Sequence, residues 1–145
     1  MKRISFNPRF VNETGDDLIP GKIHTIRQNY EYWKQFEGRE VALFTWDGKP
    51  YQKGSKQKVF CVKRIVSIQK ILYRRPEKRM NGFYFVFENK EDADIYNTIH
   101  NNHKIISKND GFENIDDYFS WFNGDYTSGE MAILHFTDFR YGEDE

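Results

Sequence analysis

Residues 20–27 read Pro-Gly-Lys-Ile-His-Thr-Ile-Arg, so two cations, an imidazole and a hydroxyl follow directly on a turn dipeptide. The β-branched residues in the second half of this stretch favour a short strand after the turn. Such a density of groups that bind anions or move protons is unusual for plain scaffold. We therefore expect a strand here, with a ligand site at its start.

Lys22 and Thr25 are the candidate reactive pair of this stretch. An amine three residues from a hydroxyl can lie on the same side of a turn, and a desolvated Lys can act as a base because its pKa falls. Thr25 then becomes a candidate nucleophile, and a carboxylic acid from elsewhere would carry the proton to a leaving amine. Arg27 could hold a phosphate or carboxylate by bidentate hydrogen bonds. The alternative is that both cations are solvated and that Thr25 only satisfies strand propensity.

Outward from this stretch, the hydrophobic pattern predicts an α+β domain. Tyr30, Trp33 and Phe36 are spaced for one helical face, Asn114 is a plausible N-cap, and residues 57–72 form one bent strand or two. Strands are predicted at 2–6, 24–27, 40–46, 83–87 and 131–141, and helices at 29–36, 91–103 and 115–122. We expect a single domain over residues 1–145, built as a small β-barrel of five to seven strands with two or three short peripheral helices.

The charges are balanced overall but unevenly distributed. Residues 49–79 hold 11 of the 22 cations and a single acid, whereas residues 91–145 hold 13 acids and three cations. We expect a polarised surface, with the basic segment at about 47–81 able to contact phosphates and its aromatic residues able to stack on bases. The alternative is a hairpin whose polar residues only face water. The candidate nucleic-acid contacts are Lys49, Lys53, Lys56, Lys63, Arg64, Arg74 and Arg75.

Several classes of protein do not fit the sequence. The single cysteine, Cys61, excludes an intramolecular disulfide and suits a reducing cytoplasm, and no apolar run reaches the ~18 residues of a membrane span. We expect a cytoplasmic monomer without membrane contact. His100 and His103 form an i, i+3 pair without a clear third ligand, so no metal site is predicted, and no cofactor is expected.

Four separated pieces of the chain carry a resemblance to a known family. They are residues 4–6, the Gly-Lys-x-x-Thr-Ile-Arg block at 21–27, Asp110-Gly111-Phe112 before a helix that ends at Trp121-Phe122, and the terminal strand at 133–137. In these pieces and their order the chain resembles the ASCH family of the PUA-like superfold. The resemblance implies a β-barrel with a cleft beside the Lys–Thr loop, and a link to RNA or modified nucleosides.

Some members of that family look like small amidohydrolases that remove the acetyl group from N4-acetylcytidine. The resemblance matches Lys22 and Thr25 to their catalytic Lys and Thr, and Asp110 to their Glu, from which it differs by one methylene. This chain also exceeds the minimal members through its basic insertion at about 47–81. The further ligand-binding candidates are His24, Arg27, Trp46 and His135. The alternative for Trp46 is a place in the core, and that for His135 is a strand position near the cleft; Trp121 is expected in the core.

Three functions remain open at this point. The first is binding of RNA or a nucleotide-like ligand in the cleft. The second is an amidohydrolase for an acylated nucleoside, with Lys22 activating Thr25 and Asp110 as general acid and base. The third is a protein-interaction module that uses the acidic C-terminal half. The relative positions of Lys22, Thr25 and Asp110 distinguish between these functions. Side chains that converge on a pocket support catalysis or binding of a small ligand, whereas divergent side chains leave the basic surface as the better indication.

Overall fold

The computed structural model describes residues 1–74, 83–87, 103–122 and 129–142. Within these ranges the chain is a mixed α+β protein with seven strands and three short α-helices. The strands are β1 (Lys2–Ser5), β2 (His24–Gln28), β3 (Glu40–Asp47), β4 (Lys56–Arg64), β5 (Ser67–Arg74), β6 (Tyr84–Phe87) and β7 (Glu130–His135). The helices are α1 (Tyr30–Trp33), α2 (His103–Asn109) and α3 (Ile115–Trp121), with 3-10 turns at Pro8–Phe10 and Lys34–Phe36.

The strands form two sheets. The first has the order β1-β3-β4, with β1 parallel to β3 and β4 antiparallel to it. The second has the order β2-β7-β5-β6, and all its pairs are antiparallel. The seven strands and three short helices confirm the predicted α+β class. No closed barrel is found among the described strands, so the predicted small barrel is not confirmed. No helix in the described ranges is long and apolar enough to cross a membrane.

The β-rich run at 57–72 is two strands that belong to different sheets. The amide of Ile65 donates to Arg39 O at 2.9 Å, and Arg39 directly precedes β3 of the first sheet. The amide of the next residue, Val66, donates instead to His135 O of β7 at 2.8 Å. The chain therefore crosses between the sheets within two residues, and Ile65 is fully buried at the crossing. One apolar cluster fills the interior and draws on both sheets.

Several local predictions are confirmed. The side chains of Tyr30, Trp33 and Phe36 pack against the core from α1 and the 3-10 turn after it. Asn114 caps α3, because its side-chain oxygen accepts from the amide of Asp117 at 2.9 Å. These predictions succeed because helical spacing and capping depend only on residues within a few positions of each other.

Two predicted boundaries are wrong. The last strand ends at His135 and not at 141, because its final ladder bond, Phe136 N to Ile23 O at 3.0 Å, is made where β2 begins. A helix follows residue 103, where none was expected: α2 begins at His103 and continues to Asn109. The predicted helix at 91–103 lies outside the described residues except for this last position.

Candidate functional site

A buried ion pair joins the opening stretch to the end of α2. Lys22 Nζ lies 3.0 Å from Asp110 Oδ1 and donates a second hydrogen bond to the backbone oxygen of Asp110 at 2.6 Å. Only 2% of the Lys22 side chain and 4% of the Asp110 side chain are exposed. Because buried charges persist where they are paired and hydrogen-bonded, this pair is a fixed feature of the interior.

The end of α2 places Asp110 through a Schellman turn. The amide of Phe112 bonds to Ser107 O at 2.9 Å and that of Gly111 to Lys108 O at 3.1 Å, with Gly111 at φ +91°. A Cβ on Gly111 would be strained by the left-handed backbone and would crowd Lys22, whose Cδ would lie 3.1 Å away. The sequence Asp-Gly-Phe thus ends the helix and presents the carboxylate to Lys22.

Burial and pairing act in opposite directions on Lys22. Burial lowers the pKa of its ammonium group, while the neighbouring Asp110 carboxylate raises it again, and the net direction is downward. The backbone oxygen of Asp110, directly after α2, accepts from the amine and also favours its charged form. Lys22 is therefore a cation that gives up its proton more readily than an exposed lysine.

Thr25 and Arg27 lie on one face of β2. Arg27 Nε donates to Thr25 Oγ1 at 3.3 Å, and its Nη2 donates to the backbone oxygen of Ser5 at 2.6 Å, which ties β2 to the first sheet. The guanidinium lies 4.9 Å from the centre of the Phe6 ring. Burial lowers the pKa of Arg27 to about 10, so the group stays charged at neutral pH.

These side chains share one cavity of about 520 Å³. Lys22, Thr25, Arg27 and Asp110 all line it, together with Trp46. The structure therefore brings together the three residues predicted as catalytic and two of the four predicted as ligand-binding. The aromatic residues of its lining are Phe6, Phe10, Trp46, Tyr51 and Trp121.

His24 and His135 do not line this cavity. Both are fully buried and lie opposite each other on β2 and β7, with ring centres 5.5 Å apart. Successive side chains of a strand point to opposite faces, so His24 faces away from its neighbour Thr25. Its Nδ1 lies 3.2 Å from Asp110 Oδ1, and His24 therefore stands behind the carboxylate. His24 therefore does not line the cleft as expected, and His135 is a residue of strand β7.

Trp121 and Tyr51 add two aromatic side chains to the cavity. Trp121, predicted in the core, is 43% exposed and packs edge-on against Phe10 with ring centres 5.4 Å apart. Tyr51 is 88% exposed, sits at φ +61° and lies 5.0 Å from the Trp46 ring. A left-handed backbone at a tyrosine is an uncommon conformation that is often found at functional loops. Tyr51 belongs to the basic segment whose aromatic residues were expected to stack on bases, whereas no sequence pattern placed Trp121 in a cavity.

The predicted nucleic-acid contacts divide into two groups. Lys63 pairs with Asp17 at 2.8 Å, and Arg64 donates to Gly38 O at 2.6 Å, so both already have partners on the protein. Lys49, Lys53 and Lys56 are exposed, and no ion pair joins them to any described residue. Arg74 is exposed and bonds to the carbonyl of Tyr73; Arg75 lies outside the described residues. The free cations thus surround the loop at 48–55 that contributes Tyr51 to the cavity.

A second, larger cavity of about 1040 Å³ lies beyond Gly111. Gly21 and Gly111 line it, and their sequence neighbours Lys22 and Asp110 line the first cavity. Its lining mixes cations with acids and apolar residues, without a group of converging buried charges. We therefore assign the functional site to the smaller cavity, where such groups converge.

Within the ranges that the structure covers, no three His, Cys, Asp or Glu side chains are grouped as metal ligands. His103 is buried against Tyr118, with Nδ1 3.1 Å from the hydroxyl, and its expected partner position 100 is not described. Cys61 is partly buried, and burial raises the pKa of its thiol to about 11, which makes it a poor nucleophile.

Comparisons of the chain with protein-family models, curated proteins and solved structures found no match. The fold and the site define an α+β protein with a buried Lys–Asp pair in the wall of an aromatic cavity.

Proposed function

We propose that the chain is a PUA-like ASCH domain that binds RNA or a nucleotide-like ligand in the cavity beside residues 21–27, and that its two sheets correspond to the small barrel of that superfold. The observation that carries the proposal is the convergence of Lys22, Arg27 and Asp110 with aromatic side chains on one cavity of about 520 Å³. Ligand sites in proteins typically measure ~300–1,000 Å³ and combine apolar walls with a few polar groups.

The lining suits a base attached to an anion. Two cations face one carboxylate there, so Lys22, Asp110 and Arg27 leave one net positive charge available to a phosphate. The faces of Trp46, Tyr51 and the other rings can stack on a base, a contact worth ~1–3 kcal/mol per base. A neutral apolar ligand would leave the positive charge unused.

A longer RNA strand would add contacts at the mouth of the cavity. Lys49 and Lys53 flank Tyr51 in the loop at 48–55, and Lys56 begins β4 directly after it. A strand whose base enters the cavity would thus place neighbouring phosphates near these three cations. Such contacts release counterions and make binding depend on salt.

We expect the triple variant Lys49→Gln, Lys53→Gln, Lys56→Gln to reduce the salt dependence of RNA binding. Each lost phosphate contact lowers the slope of log K against log salt by ~0.7 for a single strand, so the slope should fall by about 2. The measurement is a salt series of fluorescence anisotropy with a labelled single-stranded RNA. Lys63→Gln is the matched control, because that lysine already pairs with Asp17. Absence of binding to any RNA at low salt would contradict the RNA part of the proposal.

A second candidate is an amidohydrolase of an N-acylated nucleoside. The observation in its favour is that Thr25 Oγ1 accepts a hydrogen bond from the charged Arg27 and lines the same cavity as the Lys22–Asp110 pair. A positive donor on Oγ1 stabilises the negative charge that develops when the hydroxyl loses its proton. Thr25 Oγ1 would attack the acyl carbon while its proton passes to the Lys22–Asp110 pair and then to the departing nitrogen. Water would hydrolyse the acyl-threonine and release the free acid.

Incubation with N4-acetylcytidine tests this candidate, with release of cytidine followed by chromatography. We expect turnover by the wild-type protein and by Thr25→Ser, which keeps a hydroxyl. Thr25→Val, of nearly the same shape, should lose at least ~10²-fold in rate because it has no nucleophile. The candidate fails for this substrate if the wild-type protein releases no cytidine, or if Lys22→Ala is equally active.

A further inference from the structure

A chain of hydrogen bonds runs through the interior to the back of Asp110. Asn109 Nδ2 donates to the hydroxyl of Tyr141 at 3.1 Å, and that hydroxyl lies 2.6 Å from His24 Nε2. On the other side of the ring, His24 Nδ1 lies 3.2 Å from Asp110 Oδ1. His24 is fully buried and Tyr141 is 8% exposed, so water does not compete for these bonds.

The chemistry of the bonded groups decides which atom donates and which accepts at each step of this series of hydrogen bonds. Nδ1 of His24 faces a carboxylate, which only accepts, so the ring proton lies on Nδ1. Burial lowers the pKa of His24, so the ring is neutral and Nε2 is an acceptor for the Tyr141 hydroxyl. The hydroxyl oxygen in turn accepts from Asn109, whose amide nitrogen can only donate. Every donor in the chain therefore meets an acceptor.

A second set of bonds holds Tyr141 in position. Gln69 clamps its backbone, donating from Nε2 to Tyr141 O at 2.8 Å and accepting from Tyr141 N at 2.9 Å. His135 Nε2 lies 2.8 Å from the same Gln69 Oε1, so the amide orientation of Gln69 is fixed as well. The two histidines absent from the cavity thus both belong to the frame behind it.

This frame uses only one oxygen of Asp110. Lys22 Nζ and His24 Nδ1 both bond to Oδ1. Among the described residues no hydrogen bond reaches Oδ2 of Asp110. Oδ2 is also absent from the buried side-chain atoms that lack a partner. Asp110 lines the cavity, and Oδ2 is the carboxylate oxygen left to accept from a ligand there.

We propose that His24, oriented by Tyr141, is a positioning residue that holds Asp110 as an acceptor aimed into the cavity, so that the site selects ligands with an N–H donor at that point over those with an oxygen. The selection rests on the proposed function, since it concerns a ligand of the same cavity. Amino-substituted bases such as adenine and cytosine meet Oδ2 with a hydrogen bond. Their oxo counterparts, hypoxanthine and uracil, bring an oxygen against the carboxylate at the same exocyclic position.

The test compares two nucleotide pairs, AMP with IMP and CMP with UMP, by titration calorimetry. The wild-type protein should bind the amino member at least ~10-fold more tightly in at least one pair. Asp110→Asn should abolish or reverse this ratio, because its amide can donate to an oxo group. Tyr141→Phe should reduce the ratio to ~3-fold or less, because His24 loses the bond that fixes its tautomer.

Tyr118→Phe is the matched control. This variant removes another buried hydroxyl, which lies 3.1 Å from Nδ1 of a histidine, His103. Tyr118 takes no part in the series of hydrogen bonds that leads from Asn109 to Asp110. A role of Tyr141 in stability alone would weaken amino and oxo ligands equally, and would change the ratio no more than Tyr118→Phe does. An unchanged ratio in Tyr141→Phe, or a wild-type ratio near one in both pairs, overturns the inference.

The state of His24 is measured independently of any ligand. Long-range proton–nitrogen correlation spectra of the wild-type protein should show the ring protonated on Nδ1 and bare on Nε2. The opposite tautomer overturns the inference even if binding is selective. If none of the four nucleotides binds the wild-type protein, the proposed function and the ligand selection both fail, whereas the spectra still decide the orientation of the hydrogen-bond chain.

Discussion

Replacement of Lys22 by methionine is expected to lower the free energy of unfolding by about 3–5 kcal/mol. Methionine retains most of the apolar stem, so the loss comes chiefly from the ammonium group. Its removal leaves the Asp110 carboxylate almost completely buried without the cation 3.0 Å away. His24 alone would remain as a side-chain donor to Oδ1. An uncompensated buried charge is among the few single changes that cost this much.

Urea denaturation followed by circular dichroism measures this effect, and two further variants identify its cause. The double variant Lys22→Met, Asp110→Asn should recover much of the loss, because no buried charge is then left unpaired. Lys34→Met is the matched single control: Lys34 pairs with Glu31 on the surface, where both side chains are more than half exposed. That change should leave the unfolding midpoint nearly unaltered. If Lys22→Met unfolds at the same urea concentration as Lys34→Met, the pair does not stabilise the fold.

Local chemistry in the sequence was sufficient to predict a strand at residues 24–27. It was also sufficient to predict that Lys22 and Thr25, three positions apart, belong to one candidate ligand site. Both depend on neighbours a few positions apart, as does the cap at Asn114. Asp110 was different, because it lies 88 positions from Lys22 and no periodicity links the two. The resemblance to a family placed Asp110 in the same predicted site as Lys22. The ion pair between the two side chains was not predicted.

Tertiary contacts explain what the sequence could not predict. The alternating pattern that ends in Tyr141 looks like a continued strand, yet the partner strand has already ended, and Tyr141 turns back to His24. The partition of residues 57–72 between two sheets depends on which backbone carbonyl each amide finds, Arg39 O for Ile65 and His135 O for Val66. Neither the end of β7 before Tyr141 nor the partition of residues 57–72 can be recognised from the local amino-acid composition.

Acidification from pH 7 to pH 5 is expected to destabilise the protein strongly. Burial lowers the pKa of His135 to about 3 and that of His103 to about 4, from an ordinary value of 6.5. The pKa of His24 moves in the same direction. Between these folded-state values and 6.5 the unfolded chain binds more protons than the folded one, so stability falls as the pH falls. At pH 5 the loss is about 2 kcal/mol for each of His135 and His103.

The groups around His135 reinforce this sign. His24 and Arg140 are its charged or chargeable neighbours, and both further lower its pKa. Its Nδ1 has no hydrogen-bond partner among the described residues, so a proton added there would be buried and unpaired. Protonation of His135 in the folded protein is therefore unfavourable at pH 5.

Variants separate the contribution of His135 from general acid denaturation. His135→Gln retains a side-chain donor in place of Nε2, which lies 2.8 Å from Gln69 Oε1, but it cannot titrate. Whatever its stability at pH 7, it should lose about 2 kcal/mol less than the wild-type protein between pH 7 and pH 5. The measurement is the free energy of unfolding in urea at half-unit pH steps, compared by slope and not by absolute value. An identical slope in the wild-type protein and His135→Gln would show that His135 takes up its proton in the folded state, and that the interior around β7 is open to water.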